Sequence, residues 1–328
     1  MIESNLHIVY NRNVKEKILQ INDVDQHWKE FTSGIDIWLL QTYCLLRNYY
    51  PDITISAEPR KERINIIHGG SLSKDIPIAG FYFVNARADY PAAYWCNFEI
   101  VQNKIQESHR AKYITHWSQP GLIKRNNKRH GLENVAFMGN PEQNILRKFP
   151  VFDDLASMGI NYINLDREKW NDYSNIDVVL GIRQFGSTHI YPNKPPSKLI
   201  NAWWAEVPLI AGGDSAFSQI GVPNEDYVRV FSYDDLLEKI LFLKDNPGYY
   251  DQIIKNGISK RKHYTRENIL KEWIEVFQNN IFPDFEAWKR NRGPKKLIDT
   301  QSRNLIRLYQ QVIIKAKTDL NLWKKFVK

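Results

Sequence analysis

The segment Lys194-Pro-Pro-Ser197-Lys198-Leu-Ile-Asn201-Ala-Trp-Trp-Ala-Glu206-Val-Pro208 puts a cation at the start of a short helix. Pro195 and Pro196 stop a helix from beginning earlier, and Ser197 is the expected N-cap, its hydroxyl accepting a free helix-start N–H. Unpaired N–H groups, a partial positive charge and the Lys198 ammonium together suit a diphosphate. A solvated lysine on an ordinary α/β connector is the competing reading. Gly139, at the end of a predicted strand, either lets backbone N–H groups approach a phosphate or simply turns the chain. Arg183 follows another predicted strand, and its planar fork suits two phosphate oxygens. Asp214-Ser215, after Gly212-Gly213, could touch a ribose or a sugar. Arg183 and Lys198 would supply the positive charge that a metal supplies elsewhere. No His or Cys pair stands at ligand spacing, and neither a metal nor another cofactor is expected.

Three further groups stand at strand or helix boundaries and could take a proton from a hydroxyl: Asp36, His68 and Asp89. Each has an ordinary alternative. Asp36 could serve the helix dipole, Asp89 could cap a turn, and His68 could be a satisfied core histidine.

The elements that must position these groups alternate. Predicted strands cover 6–11, 53–56, 63–67, 78–85, 98–101 and 112–114, with a helix from Ile35 to Tyr50 after a charged, irregular insertion. Lys124-Arg-Asn-Asn-Lys-Arg-His-Gly131 then reads as a linker. Beyond it strands are predicted at 134–138, 161–165, 176–180, 208–211 and 228–231, with helices at 142–158, 197–205 and 233–245. Strands alternating with helices argue for parallel, doubly wound α/β sheets, whose ligands sit at the carboxyl ends of the strands. From Tyr249 the rhythm is helical, with breaks expected at Pro283 and at Gly293-Pro294 and a last helix near 300–326.

The Lys194–Gly213 segment resembles the donor-binding helix of GT-B glycosyltransferases, which move a sugar from a nucleotide-sugar. In the large retaining branch of that superfamily two Glu, separated by seven residues, precede Ala-x-x-x-Gly-x-Pro. Laid on this chain those positions fall on Asn193 and Asn201, followed by Ala202 and Val207-Pro208, with Glu206 where Gly is usual. Both carboxylates have become amides, which can still bond ribose or sugar hydroxyls. The wording around Lys198, and His116-Trp-Ser-Gln-Pro-Gly-Leu-Ile-Lys-Arg125, also resemble a group of bacterial glycosyltransferases. The resemblance implies a GT-B architecture: two Rossmann-like domains facing across a cleft, followed by C-terminal helices. It divides the chain into an acceptor-binding domain (1–130), a nucleotide-sugar-binding domain (131–275) and a basic helical extension (276–328). Gly139, Arg183, Asn193, Ser197, Lys198, Asn201, Asp214 and Ser215 would then bind the donor. Asp36, His68 or Asp89 would act on the acceptor, a glycan or a lipid-linked sugar. A non-catalytic binding protein on the same fold is the alternative that the loss of both Glu permits.

Composition sets the bounds. The chain has 328 residues, 43% apolar and 13% aromatic, enough for two folded domains and far from disorder. No apolar run approaches the ~20 residues of a membrane span, and the first residues lack a signal-peptide core. Cys44 and Cys96 lie in apolar stretches and read as buried free thiols, pointing to the cytoplasm. The net charge of +8 is concentrated: residues 289–328 hold twelve Lys or Arg against Asp299 and Asp319, a net +10, leaving −2 elsewhere. Such a tail suits an anionic inner-membrane surface or plain solvent. Nucleic acid is disfavoured as a partner, because no recognised module accompanies the charge.

Overall fold

A computed structural model describes residues 4–12, 16–140, 142, 144–186, 190–291 and 293–326. Of the basic tail, Arg292 and Lys328 lie outside the described residues, as do the side chains of Lys317, Lys324 and Lys325. Among the described residues two sheets form, both wholly parallel. The first contains β1 (Leu6–Val9), β2 (Thr54–Ser56), β3 (Ile64–His68), β4 (Tyr82–Ala86), β5 (Phe98–Val101) and β6 (Ala111–Tyr113), in the order β2-β1-β3-β4-β5-β6. The second contains β7 (Asn134–Phe137), β8 (Asn161–Asn164), β9 (Val178–Gly181), β10 (Leu209–Ala211) and β11 (Val228–Arg229), in the order β11-β10-β9-β7-β8. The helices are α1 (Glu16–Leu19), α2 (Thr42–Leu46), α3 (Val151–Ser157), α4 (Ser197–Ala205), α5 (Ser215–Ser218), α6 (Tyr233–Asp245), α7 (Pro247–Arg261), α8 (Arg266–Val276), α9 (Phe282–Arg290) and α10 (Pro294–Phe326).

Both sheets are covered on two faces, which is why their strands are nearly continuous apolar runs. Successive residues of β7 point to opposite sides: Val135 and Phe137 join one core with Leu180 and Ile210, while Ala136 joins the other with Val179 and Leu209. In the first sheet Ile8, Ile66 and Val84 share a core with α8, α9 and the turn between them, where Ile269, Trp273, Phe277, Ile281, Phe285 and Trp288 recur at about every fourth position. The chain therefore crosses twice, outward after β6 and back into α8. The return is pinned by Tyr82, whose hydroxyl donates to Asp284 at 2.6 Å, and by Thr115, whose N–H donates to Glu272 at 2.7 Å. Among the described residues no helix is long and apolar enough to cross a membrane. Cys44 and Cys96 are free and buried.

Several elements depart from the sequence reading. The helix expected over 35–50 is a π-helical turn, Asp36–Gln41, running into α2. The helix expected over 142–158 is divided: a 3₁₀ turn at Ile145–Lys148 stops before Pro150, which disfavours helix at Phe149, and α3 starts anew at Val151. The strand expected at 78–85 starts at Tyr82, because Gly80 turns the chain at φ +80°. Pro283 does not break the helical run. A π-helical turn at Phe277–Ile281 leads into α9, where the proline occupies the first turn and its missing N–H costs no bond. Finally α10 begins at Pro294 instead of near 300, with proline at a helix start where its fixed φ is compatible.

Candidate active site

Loops at the carboxyl ends of the first sheet enclose a cavity of about 650 Å³. Arg12 follows β1, His68 ends β3, Asp89 follows β4, Gln102 follows β5, and His116 follows β6; Lys194 and Pro195 close it from the second half. The rule that open parallel sheets bind at strand ends thus places His68 and Asp89 as expected.

Their chemistry differs. His68 is buried, and its Nδ1 accepts the Gly70 N–H at 3.1 Å, so the neutral ring carries its proton on Nε2. Burial pushes this imidazole down to about 4, and Nε2 has no protein partner. With the Nδ1 lone pair taken by Gly70 and the proton on a buried Nε2, His68 offers no free lone pair to act as a base. His116 has the opposite polarity. Its Nδ1 lies 2.7 Å from the Trp117 carbonyl oxygen, which can only accept, so Nδ1 carries the proton and Nε2 the lone pair. Burial lowers its pKa as well, keeping the ring neutral, and the edge-on Trp38 ring at 5.3 Å holds its plane. His116 was visible at the end of a predicted strand; what the sequence could not give was the carbonyl that sets its tautomer.

Asp36 is buried, and its two oxygens accept from Tyr10 at 2.8 Å, Arg12 at 3.1 Å, the Ser33 N–H at 2.9 Å and the Ser33 hydroxyl at 2.6 Å. Those bonds fix the loop before α2. Asp89 is exposed in the cavity wall, with one oxygen on Gln102 at 2.7 Å and the other on Lys194 at 2.5 Å. The preceding Ala88 sits at φ +49°, a turn that aims Asp89 at the second half.

On the second half Lys198, Arg183, Gly139 and Asp214 converge at the ends of β7, β9 and β10. Lys198 keeps partial exposure as a residue, but its ammonium turns inward, donating to the Met138 carbonyl and lying 4.6 Å over the Phe137 ring. A Cβ on Gly139 would come within 3.1 Å of that nitrogen and of the Phe137 ring. Glycine here makes room for the lysine. Arg183 donates from Nε to the buried Asp214 at 2.7 Å, whose other oxygen has no protein partner. Burial, with the Arg183 charge added, pushes Lys198 down to about 7 against the pull of Asp214. Burial likewise pushes Asp214 up, although Arg183 opposes it. Two cations held close together, one of them easily neutralised, form a cluster that an incoming anion would recharge.

The remaining predicted donor contacts face other partners. Pro196 occupies the cap position of α4, and Ser197 is its first helical residue, so the Ser197 hydroxyl makes no cap bond. Asn193 donates to the Asp89 carbonyl at 2.9 Å while its own carbonyl accepts from Gln102 at 2.8 Å. Ser215 accepts from Asn103 at 2.9 Å. Asn201 accepts the Gln119 N–H at 3.2 Å and also meets Tyr173. These amides and the hydroxyl join the two halves. Among the described residues no three His, Cys, Asp or Glu side chains gather where a metal ion could sit. The chain does have one Asp-x-Asp spacing, Asp23-Val-Asp25, but Asp25 is paired with Arg266 and with the Gly121 N–H, and Asp23 accepts the Asp25 N–H.

Two parallel α/β sheets that face each other across strand-end loops, followed by helices that return to the first, make up the GT-B fold. An α1,3-fucosyltransferase crystallised with GDP superposes with a TM-score of 0.52 at 13% identity, over 84% of this chain and 91% of that one. The Anabaena protein HepE in complex with UDP gives 0.48 at 8% identity, over 84% and 99%. TarM gives 0.45 at 15% identity; this chain covers only 58% of TarM, with 73% of its own length aligned. No protein-family model matches the sequence, and no curated protein does.

Proposed function

We propose that the chain is a glycosyltransferase that moves a sugar from a nucleoside diphosphate sugar to a glycan or lipid-linked acceptor, in the synthesis of a cell-surface polysaccharide or glycoconjugate. The observation that carries this reading is the pairing of two unlike sites across the cleft. Lys198 and Arg183 form a partly neutralised cationic cluster on one side. The neutral imidazole of His116 presents a lone pair to a roomy polar cavity on the other. In the reaction so read, the acceptor hydroxyl in the cavity gives its proton to His116 Nε2 as its oxygen attacks the anomeric carbon. The bond from that carbon to the diphosphate breaks, and Lys198 and Arg183 take up the charge left on the phosphate. The Lys194–Asp89 pair joins the two halves beside the reactants. Two protein cations meet the leaving charge, and we read the transfer as metal-independent. The buried free thiols support a cytoplasmic setting.

Thermal-shift screening against UDP-, GDP- and CMP-sugars, with and without EDTA, tests the reading. One nucleotide should raise the melting temperature regardless of EDTA, and release of that nucleotide should follow when acceptor is added. Binding without turnover would favour a non-catalytic role. If no nucleotide stabilises the chain, the reading fails.

A further inference from the structure

An amphipathic helix on a protein surface ordinarily turns its apolar stripe inward. The helix α10 does the reverse. It is fastened by polar side chains: Arg303 is buried and donates to the Trp95 carbonyl at 2.7 Å and the Phe81 carbonyl at 3.1 Å. One turn on, Arg307 donates to the Ile76 carbonyl at 2.6 Å, and Gln310 to the Ala92 carbonyl at 2.8 Å. At 100° per residue the opposite side carries Ile298, Leu305, Leu308, Tyr309 and Val312, each 57–68% exposed. Isolated exposed apolar residues need no explanation, but a contiguous stripe along several helical turns marks an interaction surface.

Charge decides the occupant. The segment 289–328 carries a net +10; Arg303 and Arg307 turn inward onto carbonyls, while Arg290, Lys295 and Lys315 are exposed. A second copy of the chain would bring two such segments together. An anionic surface would neutralise one and also accept the apolar stripe. We infer that the outward face of α10 docks on an anionic lipid bilayer surface.

The position of α10 connects this surface to the cleft. A smaller cavity of about 270 Å³ lies between α10, through Arg307 and Gln310, and the loop of Tyr90, Ala92 and Trp95. Tyr90 lines both this cavity and the larger one that holds His116. A docked α10 therefore sets the acceptor cavity beside the membrane, where a lipid-linked acceptor would present its sugar. This last step rests on the function proposed above; the docking does not.

The test is co-sedimentation of the full chain with vesicles of phosphatidylglycerol and phosphatidylcholine, or of phosphatidylcholine alone. The chain should pellet with the anionic vesicles only. Lys295→Gln with Lys315→Gln should weaken partitioning by about thirtyfold, as expected for two cations near an anionic surface. Leu305→Glu should release the chain while circular dichroism and the melting temperature stay unchanged, since that side chain touches solvent. Equal partitioning into neutral vesicles, or variants that bind like the parent, overturns the inference. So does light scattering that shows a dimer which Leu305→Glu dissolves, because a second copy then covers the stripe. Nucleotide-induced stabilisation, measured without vesicles, separates failure of docking from failure of the transferase reading.

Discussion

Lys198 gives the sharpest quantitative consequence. In the free chain, burial and the Arg183 charge push its pKa down to about 7, so the ammonium is half-charged at neutral pH. A bound diphosphate favours the charged form and raises that pKa. Its folded, free value lies below its bound value, so affinity is full below pH 7 and is lost as pH rises above it. From pH 7 to pH 9 the charged fraction of the free lysine falls from about one half to about one in a hundred, weakening nucleotide binding about fiftyfold, or about 2.3 kcal/mol. The diphosphate has shed its own proton near pH 6, so it contributes no slope in this window. Isothermal titration in buffers of different ionisation enthalpy should register uptake of about 0.9 proton per nucleotide at pH 8. Lys198→Met should bind weakly and flatly across the range. A flat wild-type profile, or a slope that survives in Lys198→Met, would refute the argument that this ammonium grips the pyrophosphate.

Other expectations follow from the same geometry. His116→Gln should slow transfer by about 10²–10⁴-fold with nucleotide affinity unchanged, and steady-state kinetics that show less than a tenfold loss would remove His116 as the base. Asp177 is fully buried and accepts from Arg125, from Arg129 and from the N–H groups of Glu133 and Asn134; urea unfolding of Asp177→Ala should show a loss of about 3–5 kcal/mol as two guanidinium groups lose their counter-charge. His7 is buried between Thr54 and the Glu58 carbonyl, and burial pushes it down to about 4. Its depressed folded pKa means its stabilisation is present above pH 6.5 and is lost as pH falls toward 4, at up to about 1.4 kcal/mol per pH unit. Unfolding free energies of His7→Gln measured over that window should be flatter than the parent's; parallel curves would contradict the assignment. Gly139→Ala should displace the Lys198 ammonium and weaken nucleotide binding at unchanged melting temperature, a result that titration and calorimetry read separately.

Much of the architecture was legible in the residue pattern. Alternating apolar runs and helical stretches required parallel sheets covered on both faces, because only buried strands read as continuous Ile, Val and Phe. Lys198 stands at a helix start because two prolines allow it nowhere else, and Arg183 stands at a strand end for a similarly local reason. Local rules also failed locally. They put a cap at Ser197 where Pro196 holds the position, and they broke a helix at Pro283 that a π-helical turn carries through.

The order of strands in a sheet and the path of the two crossings are long-range facts, and they decide which loop ends meet. Asn193, Asn201 and Ser215 have the chemistry of ligand contacts, yet the crossing of the chain brings Gln102, Gln119 and Asn103 within reach of them first. His68 and His116 are the same residue type at equivalent strand ends. One meets an N–H at Nδ1 and the other a carbonyl, and that difference leaves the lone pair on Nδ1 in one ring and on Nε2 in the other. The amphipathic pattern of α10 was written in its residues, but a periodic pattern does not say which side faces the protein. Buried carbonyls near Trp95 and Phe81 call for donors that only the arginine face supplies, and that demand, set by tertiary contact, turns the apolar side outward.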